Sequence, residues 1–575
     1  MPRLFKFARI LAFAVLLTSS LARAQSPAAA AYQGGMEALR KNDISAARAA
    51  FERAVKLSPT DAAAHATLGW VLAQQGEMDS AAAHLRTAIK LRPSLASARV
   101  TLAGILTQQG KTLEAEQQLR VAIRAEPKNA EAHRMLGRAL SHTNLDQATT
   151  ELRRAVELAP ERPDLQDDLG SALAQQNLAP EAKAAFTEAI RLQPNFAPAH
   201  FHRGALHLTQ QEFEAAETDL AKSVDLAPRD ATTHFFLSKT FAAESKPTDA
   251  LRELRTTTDL KPDWFEAQID LGLACQRAPD LECAVAAFEA ATKLHPQDPE
   301  AFNDLGLALV QKGAAEKAVP QFQAAMKLRP DDASFRANLG IAYLQRADFD
   351  AAVTELTAAI HLSPDDASIH YNLGLAYKLK DQLDKAVPEF LKAIELNPTL
   401  TDAHYTLGVL YWQQGQFDKS AAQLRAAILS EPNFAEAHYT LGTVLKQQNN
   451  LPEAAASLRA ALRLQPDFVG AHTTLAAVLR LQGDTAGAAE EAKAAAALSA
   501  SNTSLQSATF ATNSGTRLLN TGDLEGAIAQ FRAAIQASET YAPAHSSLAL
   551  ALQRLGHSAE AEQELRRASD LQTRP

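Results

Sequence analysis

Residues 367–400 read ASIHYNLGLAYKLKDQLDKAVPEFLKAIELNPTL, and residues 401–434 read TDAHYTLGVLYWQQGQFDKSAAQLRAAILSEPNF. Laid over one another, the two stretches keep the same residue type at matching places. His370 meets His404, Tyr371 meets Tyr405, Gly374 meets Gly408, Ala393 meets Ala427 and Pro398 meets Pro432. Working outward from this pair, the proline recurs as Pro59, Pro93, Pro127, Pro160, Pro194, Pro228, Pro262, Pro296, Pro330, Pro364, Pro398, Pro432 and Pro466. Every step is 34 residues except the 33 from Pro127 to Pro160. A fixed period of this size marks a stacked repeat architecture. A chain built wholly of such units has surface to offer and no separate catalytic domain.

With the proline at slot 32 of a 34-residue frame, the other slots fall into line. Slot 8 is small, most often Gly, as in Gly35, Gly374 and Gly442. Slots 20 and 27 are Ala almost throughout, with Ser420 an exception at slot 20. Slot 24 is bulky, as in Phe51, Phe390 and Leu424. Apolar residues three and four apart make a buried stripe on each of two helices. The small slots let those helices approach closely, and the bulk at slot 24 fills the space left. Gly or Asn near slot 15, as in Gly76 and Asn177, supplies the turn between them. Proline ends the second helix, because it lacks an N–H and restricts the residue before it.

These slots resemble the defining positions of the tetratricopeptide repeat family. Sixteen copies fit the frame, fourteen within 25–502 and two within 508–575, with 503–507 left over as an insert. The weakest are 231–264, with Ser238 and Thr257 in small slots, and 469–502, where Ala492 replaces the slot-24 bulk. The resemblance implies an all-α, right-handed superhelical solenoid whose first helices line a concave groove. The segment Ser499–Ser507 reads as a loop that kinks the solenoid before the last two repeats. The closing helix, expected over Glu560–Leu571, is charged enough to end the stack without an added cap.

The first 24 residues read as a secretory leader. Arg3, Lys6 and Arg9 precede the apolar run Ile10–Leu17, and Ala22-Arg23-Ala24 fits a cleavage site. The run is too short to span a bilayer. A retained anchor is the alternative. The expected location is therefore the periplasm or the exterior, with no membrane insertion once the leader is cut. Loss of Arg3, Lys6, Arg9 and Arg23 takes the net charge from −9 to −13, which argues against nucleic-acid partners. The two cysteines, Cys275 and Cys283, fall on facing helices of one repeat. An exported chain can oxidise such a pair; the other reading is two small core thiols.

Chemistry is sparse. Histidine occupies slot 4 in nine repeats, among them His65, His200, His234, His370 and His545. Equivalent slots lie on the order of 10 Å apart. Ligands sharing one metal must be much closer, so these histidines are read as packing residues. His200, His202 and His207 crowd one helix without the three- or four-residue spacing of a one-face pair. Asp167 and Asp168 are adjacent on a helix and diverge. No phosphate-binding loop, zinc-protease or nucleophile-elbow motif occurs in the sequence. No catalytic residue, metal or cofactor is expected.

By the family resemblance, slots 2, 5, 6, 9, 12 and 13 face the groove. Slot 5 holds Phe201 and Phe235, then Tyr371, Tyr405 and Tyr439 in three consecutive repeats; Trp70 takes slot 9 and Trp412 slot 12. Aromatic rings on a concave wall suit capture of an extended segment or an amphipathic helix. The competing reading of the slot-5 rings is packing between first helices. Asn338 and Asn372 hold slot 6. The related region of O-linked N-acetylglucosamine transferases carries an asparagine ladder near there that grips a substrate backbone. Here Asp168, Asp270, Asp304, Thr406 and Thr440 break it. The expected function is a non-catalytic scaffold for protein or peptide partners, centred on 367–446. Tyr371, Tyr405, Tyr439 and Trp412 would give apolar contact, while Asn338, Asn372, Lys378 and Lys446 would position polar groups. The alternative is an accessory factor for envelope polysaccharide export or protein glycosylation.

Overall fold

The computed structural model describes residues 26–572. They form thirty-one α-helices, and no strand occurs among them. The chain is an all-α solenoid that divides into two compact units, Met1–Pro296 and Gln297–Pro575. The expected leader, 1–24, lies outside the described residues. Among the described residues no helix is long and apolar enough to cross a membrane.

The 367–400 unit shows how the sequence builds each hairpin. Asp366 caps the Ala367–Leu379 helix, its carboxylate accepting from the amides of Ser368 (2.8 Å) and Ile369 (3.2 Å). A carboxylate there satisfies backbone donors that have no partner within the helix. The turn to the Leu383–Leu396 helix passes through Asp381 at φ 57°. The same left-handed turn recurs at slot 15 on Gly76 (85°) and Asn177 (60°). Asn397 is then extended at φ −134° and ψ 91°, as the following Pro398 requires. Between the helices, Phe390 is fully buried against Gly374, with Ala386 and Ala393 on either side of it along the second helix.

Successive repeats join through a second contact. Slot 27 of one repeat and slot 3 of the next share an apolar cluster: Ala122 with Ala132, Ala359 with Ile369, Ala534 with Ala544. The poorly matching 231–264 repeat keeps its hairpin, Ala231–Ala243 and Pro247–Leu260. Its misfit hydroxyls are absorbed by backbone carbonyls, Ser238 Oγ donating to Phe235 O at 2.6 Å and Thr257 Oγ1 to Glu253 O at 2.8 Å.

One expectation is corrected. Ser499–Ser507 is not a loop; it lies inside a single 37-residue helix, Thr485–Thr521. The Ala-rich run before it favours helix, and no Gly or Pro stands between Gly487 and Gly515 to stop propagation. The hydroxyls that usually compete with helix are spent on it. Thr503 donates to Ser499 O (3.0 Å), Ser507 to Thr503 O (2.9 Å) and Thr509 to Leu505 O (2.8 Å). The first half of this helix completes the hairpin begun by Val469–Gln482, and its second half pairs with Leu524–Ala537. The final helix runs Ser558–Gln572.

Candidate functional site

Within the second unit, first helices approach one another directly: Ala333–Gln345 meets Ala367–Leu379, and Thr401–Gln413 meets Ala435–Gln447, which meets Val469–Gln482. First helices therefore lie beside one another along parts of this stretch, and Tyr371 reaches Thr406 across the remaining gap. Tyr371, Tyr405 and Tyr439 are half-buried on these helices. Tyr405 packs on Phe434 with ring centroids 4.8 Å apart, and Tyr439 on Phe468 at 4.7 Å. Both phenylalanines sit at slot 34, the last of their repeats, where they N-cap the first helix of the next repeat, so each ring pair bridges a junction. Tyr371 lies 5.8 Å from Phe390 and shares a hydrogen bond with Thr406. Burial pushes its phenol pKa up, with the Thr406 contact opposing. The slot-5 rings thus pack on their neighbours and still keep part of their surface open.

Trp412 packs against the same apolar cluster as Tyr405 and Tyr439. At the matching slot of the flanking repeats stand Lys378 and Lys446, both half-buried. Slot 12 therefore reads cation, indole, cation across three repeats. An apolar surface beside two ammonium groups suits an apolar side chain flanked by carboxylates.

Other expected site residues are not drawn into this wall. Phe235 is 8% exposed, wedged against Trp264 at 4.4 Å with the Lys239 ammonium 4.9 Å from its centroid. This burial favours the packing reading of Phe235 over contact with a partner. Phe201 makes an edge contact with Phe236 at 5.3 Å. Trp70 packs against an apolar cluster of the first unit. Asn338 Nδ2 donates to Asn303 Oδ1 at 2.8 Å, so its amide is engaged by a neighbouring side chain, and Asn372 is half-buried.

A second tyrosine ladder escaped the sequence reading. Tyr343, Tyr377 and Tyr411 occupy slot 11 of consecutive repeats, each beside a cation: Arg346 at 5.8 Å, Lys385 at 5.6 Å and Lys419 at 5.4 Å. The 34-residue spacing that revealed Tyr371, Tyr405 and Tyr439 would have found them too.

The slot-4 histidines act as clamps. Nε2 of His234 donates to the carbonyl of Pro228 (3.2 Å), and Nδ1 meets Glu253 Oε2 at 2.6 Å. The proline belongs to the preceding repeat and the glutamate to the second helix of the same one. His133, His370, His472 and His545 repeat the geometry with Glu151, Glu389, Glu491 and Glu564, although Glu539 supplies the carbonyl for His545. In His234 the hydrogen bond to Glu253 holds the imidazole pKa above its usual value, against desolvation.

The adjacent acids Asp167 and Asp168 part company as expected. Asp168 pairs with Arg134 at 2.5 Å, and Asp167 with His202 at 2.8 Å. Arg134 also reaches Asp164 at 2.7 Å, and Arg162 joins Asp164 to Glu131. Burial alone would raise Asp164; Arg162 and Arg134 overcome it and hold the carboxyl below its usual range. The group is satisfied internally and has the character of a structural tie. His200, His202 and His207 hydrogen-bond to Asp219, Asp167 and Glu212 respectively, and His207 Nε2 also lies 3.8 Å from Asp219. Cys275 and Cys283 are joined as a disulfide with Cα atoms 5.8 Å apart, and Asp280, in the turn between their helices, caps Leu281–Leu294 by accepting from the Cys283 amide at 3.1 Å.

Sequence-family models described as "Tetratricopeptide repeat" match residues 32–96, 168–231, 280–333, 405–467 and 439–503, with further models of that description at 72–139 and 542–567. A "TPR repeat" model matches 342–381 and 379–415. No curated protein matches the chain. Among solved structures, the anaphase-promoting-complex Cut9–Hcn1 hetero-tetramer shares 15% identity over 79% of this chain and 97% of that one, with a TM-score of 0.36. YrrB, described as a repeat protein with an unusual peptide-binding site, shares 22% identity over 31% and 93%, with a TM-score of 0.30. MamA from Desulfovibrio magneticus shares 25% over 30% and 96%, with a TM-score of 0.28. The repeat frame, the hairpins it folds into and the family models agree: the chain belongs to the tetratricopeptide repeat family.

Proposed function

We propose that this protein is a non-catalytic scaffold that takes an extended peptide along the inner wall of residues 367–468. The observation that carries this reading is the slot-12 row Lys378, Trp412, Lys446, set beside the half-open rings of Tyr371, Tyr405 and Tyr439. Equivalent slots recur on the order of every 10 Å. An extended chain advances about 3.3 Å per residue, so successive rungs meet every third side chain. The matching ligand is a segment with an acid, two spacer residues, a large apolar residue, two spacers and a second acid. Many weak rungs on a wall already in shape bind with little ordering cost to the scaffold.

The test is fluorescence anisotropy with a labelled peptide of that spacing, against one with the same composition and the acids moved to adjacent positions. The spaced peptide should bind more tightly, and Lys378→Glu/Lys446→Glu should weaken it roughly tenfold, about 1.4 kcal/mol. Equal binding of both peptides, or no effect of the charge reversal, sinks the reading. The basic and apolar start of the sequence supports export to the periplasm or exterior, where the Cys275–Cys283 bond would persist. Amino-terminal sequencing of protein recovered from an envelope fraction tests it; a chain still beginning at Met1 refutes cleavage.

A further inference from the structure

Slot 23 usually gives the slot-4 histidine an oxygen: Glu253 for His234, Glu389 for His370, Gln423 for His404. In the 62–95 repeat slot 23 is His84, and the rings meet nitrogen to nitrogen, His65 Nδ1 to His84 Nδ1 at 3.0 Å. Nε2 of His65 lies 3.1 Å from the carbonyl of Pro59. A carbonyl only accepts, so this nitrogen carries the proton, and in the neutral ring Nδ1 turns a lone pair toward His84. A far N–H held by a backbone carbonyl is the support that orients metal-bound histidines. His65 is buried, whereas His84 keeps part of its surface in solvent. With the ring centroids 5.2 Å apart, an ion about 2 Å from each Nδ1, and so about 3.2 Å from each centroid, subtends roughly 110°, close to the tetrahedral angle. Turning in place, the rings need only open the two Nδ1 atoms from 3.0 Å to about 3.3 Å. The spacing of about 10 Å that keeps slot-4 histidines of different repeats from sharing a metal does not apply, because both rings belong to one hairpin.

We infer that His65 and His84 form a two-histidine site for a zinc-class divalent ion, bound through Nδ1 of each ring. The proton that His84 Nδ1 shares with His65 moves to His84 Nε2 on binding, so both rings stay neutral. Among the described residues no third His, Cys, Asp or Glu brings a ligand atom into this group, so water takes the remaining positions. Glu52, whose charge is felt at His84, is itself tied to Arg48 at 2.8 Å. Burial and then the adjacent His65 lower the His84 pKa against that charge, which favours the neutral ring a metal needs. At the carboxylate clamps the imidazole holds its proton more firmly, as at His234, and an ion must first displace it. The bound ion joins the Ala62–Gln74 helix to the Met78–Leu91 helix, while Pro59 links the same ring to the preceding repeat. Metal therefore stiffens this hairpin.

The experiment adds zinc chloride to the full chain after chelator treatment and follows hydrogen exchange of Ala62–Gln74 and Met78–Leu91 by mass spectrometry. Calorimetric titration supplies the dissociation constant. At a zinc concentration about ten times that constant, exchange in these two helices should slow roughly tenfold. In His84→Gln the slowing should disappear. This variant is expected to fold, because Gln423 already clamps His404 at 2.7 Å, and circular dichroism checks it. His404→Gln, which removes a slot-4 histidine elsewhere, should keep the full effect. Zinc that leaves the wild-type helices unchanged overturns the proposal. Equal slowing in the wild type and His84→Gln overturns it as well, since the ion would then sit on other groups.

Discussion

Gly374 lies directly under the ring of Phe390: a methyl group at residue 374 would come within 2.7 Å of the ring's Cε1. Phe390 is fully buried and cannot retreat without opening the hairpin. Gly374→Ala is therefore expected to destabilise the protein by about 1–3 kcal/mol through overpacking, although alanine is the better helix former. Combining it with Phe390→Ala should cost less than the two single changes added together, because the added methyl then enters the cavity left by the ring. Urea denaturation of the four variants measures this; strict additivity would show that the two residues do not compete for space.

Phe235 and Trp412 both looked like groove residues, and they are expected to part in experiment. Phe235→Ala removes a buried ring and should cost about 3–5 kcal/mol of stability. Trp412→Ala, at a half-buried position, should cost less stability and more peptide affinity. Thermal melts and anisotropy on the same preparations check the split; the reverse order would move the binding wall to the first unit.

The His234–Glu253 clamp makes a pH prediction. His234 is held above its usual value of 6.5, so its stabilising contribution is fully present below that pH and is lost as pH rises through the higher folded value. Glu253 is desolvated, yet hydrogen bonds from His234 and Arg252 lower its pKa below 4.5. Its contribution is present above 4.5 and is lost as pH falls through the lower folded value. Protection of the Ala231–Ala243 amides, relative to their intrinsic exchange at each pH, should be greatest between these limits and fall at alkaline pH. In His234→Gln the alkaline change should vanish.

The Cys275–Cys283 bond closes a short loop, with a sequence separation of 8. A loop of this length is worth roughly 2–3 kcal/mol in the chain-entropy account. Replacing both cysteines with alanine should lower the unfolding midpoint and leave binding at 367–468 unchanged. Thiol titration of the unfolded protein before and after reductant checks that the bond is there; two free thiols beforehand would remove the basis for this prediction.

The hairpins were legible because their causes are local and repeat. Pro398 forbids continuation of the second helix, Asp366 caps the next start, and Gly374 must be small because Phe390 is large. Each rule acts within a few residues or within one frame, and its recurrence every 34 residues reinforces it. The candidate site was legible only in part. Tyr371, Tyr405 and Tyr439 could be placed at one slot, but the number of faces each ring leaves open depends on Phe390, Phe434 and Phe468. The burial of Phe235 was not legible for the same reason, since Trp264 lies 29 positions away in sequence and packs on it in space. The pairing of Asn338 with Asn303 and the clamping of His234 by Glu253 are likewise contacts between elements.

The sequence by itself determined the period, the helical hairpin, the turn at slot 15 and the small–large pairing of slots 8 and 24, since these follow from backbone sterics and side-chain volume along one frame. Only the tertiary structure decided which aromatic rings are half-buried and which are buried, how each histidine is held, and that Ser499–Ser507 continues a helix. Those outcomes depend on which neighbour is present to cover a side chain or accept its proton. Phe510, at the slot where Phe335 and Ile369 are buried, is left 74% exposed, because one unbroken helix holds its slot-27 counterpart Ala495 out of its reach.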